Sequence, residues 1–127
     1  MMFRLAARGP LRHVLGLLVA LSIAAPVSAH SELRMSDPAD GAVMGCAPAQ
    51  ILLEFGERVQ LTALRLHRVD GDEVDLPRRA IRETREETIA LPPLEQGNFR
   101  AEWRIISGDG HPVGGIIGFT VTGDCDQ

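Results

Sequence analysis

Apolar and polar side chains alternate along much of the chain after residue 50, which is the pattern of β-strands with one buried face. The clearest case is residues 98–106, where Phe99, Ala101, Trp103 and Ile105 share one face and charged residues occupy the other. The same pattern predicts further strands at residues 50–55, 61–69, 73–76, 87–91 and 116–122. Their inward residues extend the predicted core with Ile51, Leu53, Phe55, Leu64, Leu66, Ile117, Phe119 and Val121.

Turn-forming residues separate these segments. Residues 70–72 (Asp-Gly-Asp) form a hairpin-type turn, and Pro92 with Pro93 ends the strand at 87–91. Residues 78–87 lack the alternation and predict a loop or one polar helical turn. Short strands at intervals of about ten residues are typical of a β-sandwich or Greek-key barrel. We therefore predict an all-β domain of about seven strands.

Residues 1–29 have the features of a secretory signal peptide. The apolar run at 14–25 is about a dozen residues long, whereas a membrane-spanning helix needs roughly 20. Val27 and Ala29 occupy the two positions that a signal peptidase reads, and the basic residues before the run are Arg4, Arg8 and Arg12. Cleavage after Ala29 would export residues 30–127 to the periplasm, 98 of the 127 residues, as one domain without membrane insertion.

Export would also change the charge of the chain. The 98 residues keep all 17 acidic residues but only ten of the 13 basic ones, which gives a formal charge of −7. Such a surface disfavours nucleic acids and anionic membranes and mildly favours cations.

Cys46 and Cys125 both fall in the exported part, near its two ends. An even cysteine count in an oxidising compartment favours a disulfide, which would stabilise the fold by about 4 kcal/mol. The alternative is a thiolate metal ligand or a redox pair, which the wide spacing disfavours because no Cys-x-x-Cys is present.

Cleavage after Ala29 would make His30 the first residue. A terminal histidine offers an α-amine and an imidazole that can chelate a metal, whereas inside a chain the amine is a peptide nitrogen without a free lone pair. The alternative is a solvated chain end that binds nothing.

The second candidate is the loop at residues 106–115. Asp109 and His111 are two residues apart, so in an extended segment their side chains share a face. Gly110 lets the backbone bend between them and Pro112 stiffens the exit. Ordinary turn chemistry would explain the same residues.

Together the two candidates supply an amine, two imidazoles and a carboxylate. A tetragonal set of nitrogen and oxygen ligands is diagnostic of Cu(II), which also heads the affinity order for such donors. Zinc accepts a similar set tetrahedrally.

With these residues the chain resembles the periplasmic copper-resistance proteins of the CopC type. The resemblance covers essentially all of residues 30–127. It rests on His30, the turn at 36–41, the strand at 52–57 and above all on 107–115 (Ser-Gly-Asp-Gly-His-Pro-Val-Gly-Gly), which leads into 118–121.

The resemblance implies a Greek-key β-barrel or sandwich, immunoglobulin-like or cupredoxin-like, that binds Cu(II) through His30, Asp109 and His111. Glu57 matches an acidic residue that follows the family's strand phenylalanine, and would act as a hydrogen-bond partner of the ligands. The family also implies an inner-membrane copper transporter of the CopD type as a partner. We expect a monomer.

Two features depart from the family or lie outside its motif. Some members carry a Cu(I) site in a methionine-rich loop, whereas Met35 and Met44 are the only methionines in the exported part. We therefore expect a protein that binds Cu(II) alone. His67 is expected to be an exposed strand residue, and His13 leaves with the leader.

The leading hypothesis is a periplasmic copper-binding protein for sequestration, tolerance or delivery, and not an enzyme. One alternative is a metal-free β-sandwich that serves as an interaction module. The other is a copper monooxygenase with a histidine brace. Those enzymes are much longer and present aromatic residues on a flat surface, whereas this chain has no Tyr and one Trp.

Overall fold

The structure is a computed structural model that describes residues 33–125. The predicted signal peptide at 1–29 and the candidate ligand His30 lie outside the described residues.

The described residues form seven β-strands and no helix. The strands are β1 (Leu33–Asp37), β2 (Ala42–Met44), β3 (Gln50–Arg68), β4 (Glu73–Val74), β5 (Glu83–Ala90), β6 (Gly97–Ile106) and β7 (Pro112–Val121). They lie in the order β1-β3-β6-β7-β2, with β4 and β5 also paired to β3. All pairs are antiparallel except β2 with β7, which is parallel. The prediction of an all-β Greek-key barrel or sandwich is confirmed.

The 19 residues of β3 connect the two halves of the fold. Its first half pairs with β1 and β5, and its second half pairs with β6 and β4. The pairing with β5 shifts register between Glu54 and Val59, an irregularity of the kind that lets a strand bend. Just after it, Gln60 pairs with Ile106 on one edge and with Glu83 on the other.

The core lies between the two halves, where the inward faces of β3, β5, β6 and β7 meet. Phe55 packs edge-to-face against Trp103, with ring centroids 5.6 Å apart. Of the residues predicted for the core, Leu64 is half-buried and the rest are buried. The alternating pattern therefore identified this core correctly.

Several strand boundaries differ from the prediction. The expected strands at 50–55 and 61–69 are one bent strand, and β1 and β2 were not predicted because each is short and pairs on one edge only. Residues 83–86 belong to β5, although 78–87 was predicted as a loop or helical turn. The alternation in this strand is hidden because its inward position 87 holds a glutamate instead of an apolar residue. Glu87 is a buried carboxylate 3.6 Å from Arg82 Nε.

Two further differences concern the second half of the sheet. Strand β7 begins at Pro112, four residues before the predicted start. His67 is half-buried in β3, where it pairs with Glu73 and Arg100, and is not the exposed residue that was expected.

Cys46 and Cys125 form a disulfide, with their Cα atoms 4.6 Å apart. It joins the segments that follow β2 and β7, where the Gly123 N–H donates to the Gly45 carbonyl at 3.0 Å. The predicted bridge is therefore present, and the alternative of a free thiolate ligand is excluded for this pair.

Replacing both cysteines by serine is expected to lower the free energy of unfolding by about 4 kcal/mol, because the bridge closes a loop of 79 positions. Urea denaturation of the double variant measures this loss, and the reduced wild-type protein is the matched control. A change below about 1 kcal/mol would show that the bridge does not constrain the unfolded chain.

Among residues 33–125 there is no helix long and apolar enough to cross a membrane.

Candidate metal centre

Asp109 and His111 lie in the hairpin loop between β6 and β7. Ile106 and Pro112 form the last pair of that ladder, so the loop consists of residues 107–111. The Ser107 N–H donates to the His111 carbonyl and the Gly110 N–H donates to the Ser107 carbonyl, both at 2.9 Å. Gly110 has a φ of 86°, in the left-handed region where glycine is favoured. The loop is therefore a defined turn closed by backbone hydrogen bonds.

Ser107 organises the inside of this loop. Its side chain is nearly buried, and its hydroxyl donates to Asp109 Oδ1 while accepting from the His111 N–H at 3.0 Å. One hydroxyl thus fixes both candidate ligands. The sequence analysis assigned no role to Ser107, although a serine that begins a Gly- and Asp-rich turn is a signal for such local hydrogen bonds.

The side chains of Asp109 and His111 contact each other and face the solvent. Asp109 Oδ2 lies 2.9 Å from His111 Nδ1, and the two side chains are 70% and 76% exposed. Hydrogen bonds from the Ser107 hydroxyl and then from the His111 imidazole lower the pKa of Asp109 from 3.8 to about 2. The carboxylate therefore stays ionised at any pH where the protein would bind metal.

The contact with Asp109 also sets the tautomer of His111 in this conformation. Nδ1 donates its hydrogen to the carboxylate, which leaves the lone pair on Nε2 available. A carboxylate that holds an imidazole in this way is a recurrent arrangement behind metal-binding histidines, since it orients the ring and raises its basicity.

Glu57 contacts the same loop from the bend in β3. Its Oε1 accepts from the Gly108 N–H at 3.3 Å. This contact is with the loop backbone and not with the imidazole or carboxylate of the candidate ligands. Glu57 is therefore placed to hold the loop against β3.

The loop by itself is an incomplete metal site. Within the part of the chain that the structure describes, no group of three or more His, Cys, Asp or Glu side chains could hold a metal ion. Asp109 and His111 supply one oxygen and one nitrogen donor. The third candidate ligand, His30, lies outside residues 33–125.

The two methionines of the exported part lie on different strands. Met35 is on β1, paired with Glu54 of β3, and Met44 is on β2, paired with Val121 of β7.

Comparison with known proteins gives one family model, described as the CopC domain, which matches residues 33–122. A copper resistance protein C from Xanthomonas campestris pv. juglandis is 32% identical over 115 residues, which cover 82% of this chain and 90% of that protein. The copper transport protein CutJ of Bacillus subtilis is 34% identical over 98 residues, 73% of this chain. That match spans only 18% of CutJ, so CutJ is a much longer protein.

Solved structures agree with this match. The crystal structure of CopC from Methylosinus trichosporium OB3b has a TM-score of 0.62 and 28% identity, covering 73% of this chain and 94% of that one. PcoC, a methionine-rich copper resistance protein from Escherichia coli, has a TM-score of 0.59 and 33% identity, covering 74% of this chain and all of that one.

Proposed function

This chain belongs to the CopC family of copper resistance and copper transport proteins, and from that premise we propose that it is an exported carrier of Cu(II). The proposed ligands are the α-amine and imidazole of His30 after cleavage behind Ala29, the imidazole of His111 and a carboxylate oxygen of Asp109. Binding both loop residues to one ion requires the hydrogen bond between Asp109 and His111 to open. The observation that carries the proposal is the Asp109–His111 pair, whose side chains are in contact and exposed in the hairpin loop.

The donor chemistry favours Cu(II) over other common divalent ions. Three nitrogens and one carboxylate oxygen suit a tetragonal Cu(II) site. The loop contains no cysteine, so it does not supply the tetrahedral thiolate ligands typical of structural zinc. The two cysteines of the chain are joined to each other and so supply no thiolate.

We expect His30 to reach the loop. Leu33 at the start of β1 pairs with Phe55, two residues before Glu57 in β3. Glu57 in turn contacts Gly108 of the loop. His30 lies three positions before Leu33, and an extended stretch of three residue steps spans about 10 Å. That distance is comparable to the separation of neighbouring strands plus two residues along a strand.

Four protein ligands around Cu(II) favour carriage over catalysis, because they fill the equatorial positions that a substrate would need. We therefore propose sequestration in the periplasm, with delivery to an inner-membrane transporter of the CopD type as the route of use. Glu57 contributes by holding the loop in place through Gly108.

A Cu(II) titration across pH tests this proposal. Protein whose mass begins at His30 is expected to bind one Cu(II) with sub-micromolar affinity at pH 7.5. Affinity should fall more than a hundredfold by pH 5, because protons compete with copper for the imidazole and amine nitrogens. The Asp109 carboxylate, with its pKa near 2, stays ionised over this range and contributes little to the change.

A competing chelator of known affinity gives the constants at each pH. Absence of sub-micromolar binding at pH 7.5 would contradict the proposed function. Affinity that is constant from pH 7.5 to 5 would instead exclude imidazole and amine donors.

A further inference from the structure

Beside the candidate metal loop lies a group of arginines that the proposed copper site does not use. We propose that this arginine rim, made of Arg58, Arg78, Arg79 and Arg82, docks an acidic segment of the protein that exchanges copper with this chain. The inference rests on the proposed function, since it identifies the partner's chemistry at the same end of the molecule.

The strand pairing places the rim and the loop together. Gln60 of β3 pairs with Ile106, which directly precedes the loop, and on its other edge with Glu83, which directly follows Arg82. Strands β5 and β6 thus lie on either side of β3 at this point, about 10 Å apart. Arg58 also follows Glu57, whose carboxylate contacts the loop at Gly108.

Backbone hydrogen bonds hold two of the arginines in position. Arg58 Nη2 donates to the Glu83 carbonyl and Arg79 Nη2 donates to the Leu61 carbonyl, each at 3.0 Å. The Nη1 of Arg79 is buried and has no hydrogen-bond partner among the described residues. Arg58 is exposed and can contact a partner directly, whereas Arg79 is half-buried and contributes only its charge to the rim.

Most of the rim lacks an ion-pair partner. Within residues 33–125, Arg82 pairs with the buried Glu87, but no carboxylate lies within 4.0 Å of the other three guanidinium groups. Three carboxylates, those of Glu57, Glu83 and Glu87, lie beside the four arginines, so the rim keeps a net charge of +1. The described residues as a whole contain ten arginines and 15 acidic residues, a formal charge of −5.

This contrast in charge argues for a protein partner. An anionic bilayer would be repelled by the acidic remainder of the surface, whereas a short acidic segment can meet the rim alone. Ile81 lies between the arginines in sequence and is 59% exposed, which gives such a segment one apolar contact. Complementary charge of this kind mainly raises the rate at which the two proteins associate, and rapid copper exchange requires fast association.

Binding of a fluorescein-labelled hexaglutamate peptide tests the proposal on the apo protein. By fluorescence anisotropy at low ionic strength, the variant R58E/R78E is expected to bind about tenfold more weakly than wild type. The matched control R100E/R104E changes the same number of charges on exposed positions of β6 and should change affinity less than twofold. Salt at 0.5 M should abolish the difference, because exposed charges are then screened.

Equal weakening in the two charge-reversed variants would overturn the proposal, since it would report net charge alone. Binding to phosphatidylglycerol vesicles without binding to hexaglutamate would overturn it in favour of a membrane surface. If R58E/R78E unfolds, the neutral variant R58Q/R78Q replaces it, with an expected loss of about threefold. Cu(II) titration of the same samples is independent of the peptide result, so failure of the copper site and failure of the rim are distinguishable.

Discussion

One alanine added before His30 is expected to weaken Cu(II) binding by about a hundredfold or more. The extension converts the α-amine of His30 into a peptide nitrogen, and the two nitrogen donors, amine and imidazole, no longer close a chelate ring on the metal. Loss of a direct ligand should exceed the 10- to 100-fold cost that is typical of losing a supporting hydrogen bond.

The matched control carries the extra alanine after Gln127 instead, so that mass and composition are identical. It should bind Cu(II) as tightly as the unextended protein. Both samples need an intact-mass measurement, because the experiment is meaningful only when the first residue is known. Equal affinities in the two extended forms would refute the proposed role of the amine.

Replacing His111 by alanine is expected to lower Cu(II) affinity by more than a hundredfold. His111 is the one imidazole of the loop, and its Nε2 is left available by the contact of Nδ1 with Asp109 at 2.9 Å. The matched control is His67→Ala, which removes a half-buried imidazole from β3, outside the loop. Isothermal titration with a competing chelator should find that control within about threefold of wild type.

The variant Asp109→Asn separates two roles for the carboxylate. If the carboxylate is a direct ligand, the loss of Cu(II) affinity should approach that of His111→Ala. If it only orients His111, Cu(II) affinity should fall by about 10- to 100-fold. Because Asn keeps the size of the side chain, the Ser107 contacts of the loop should persist. An unchanged affinity in His111→Ala would contradict the proposed site altogether.

The sequence predicts the core of this fold well because the strands of the second half alternate strictly. Phe99, Ala101, Trp103 and Ile105 are all buried, as their spacing indicates. The pattern fails where a strand does not have one apolar face. Strand β5 hides its alternation because Glu87 occupies an inward position, and its charge is met by Arg82 from outside the strand.

The bend of β3 could not be predicted for a different reason. Residues 56–60 interrupt the alternation, which suggests a turn between two strands, yet the backbone continues as one strand with shifted register. Only tertiary pairing distinguishes the two cases, since β5 and β6 meet opposite edges of β3 at Gln60. That same bend brings Glu57 to the candidate metal loop.

For the candidate site, the sequence identifies the two donors of the loop but not what holds them. Spacing places Asp109 and His111 on one face, and in the structure their side chains are in contact. The bridging role of Ser107 depends on a local turn conformation, and the Glu57–Gly108 contact spans 51 positions in sequence. His30 lies outside the described residues, so its part in the site stays a prediction.

Electron paramagnetic resonance of the one-to-one Cu(II) complex tests the central claim most directly. For protein that begins at His30, we predict an axial spectrum with superhyperfine coupling to three nitrogens, as expected for a tetragonal site of one amine, two imidazoles and one carboxylate. Adding an alanine before His30, or replacing His111 by alanine, should each change this spectrum. A spectrum that is the same in all three proteins would contradict the claim that His30 and the loop bind one copper ion together.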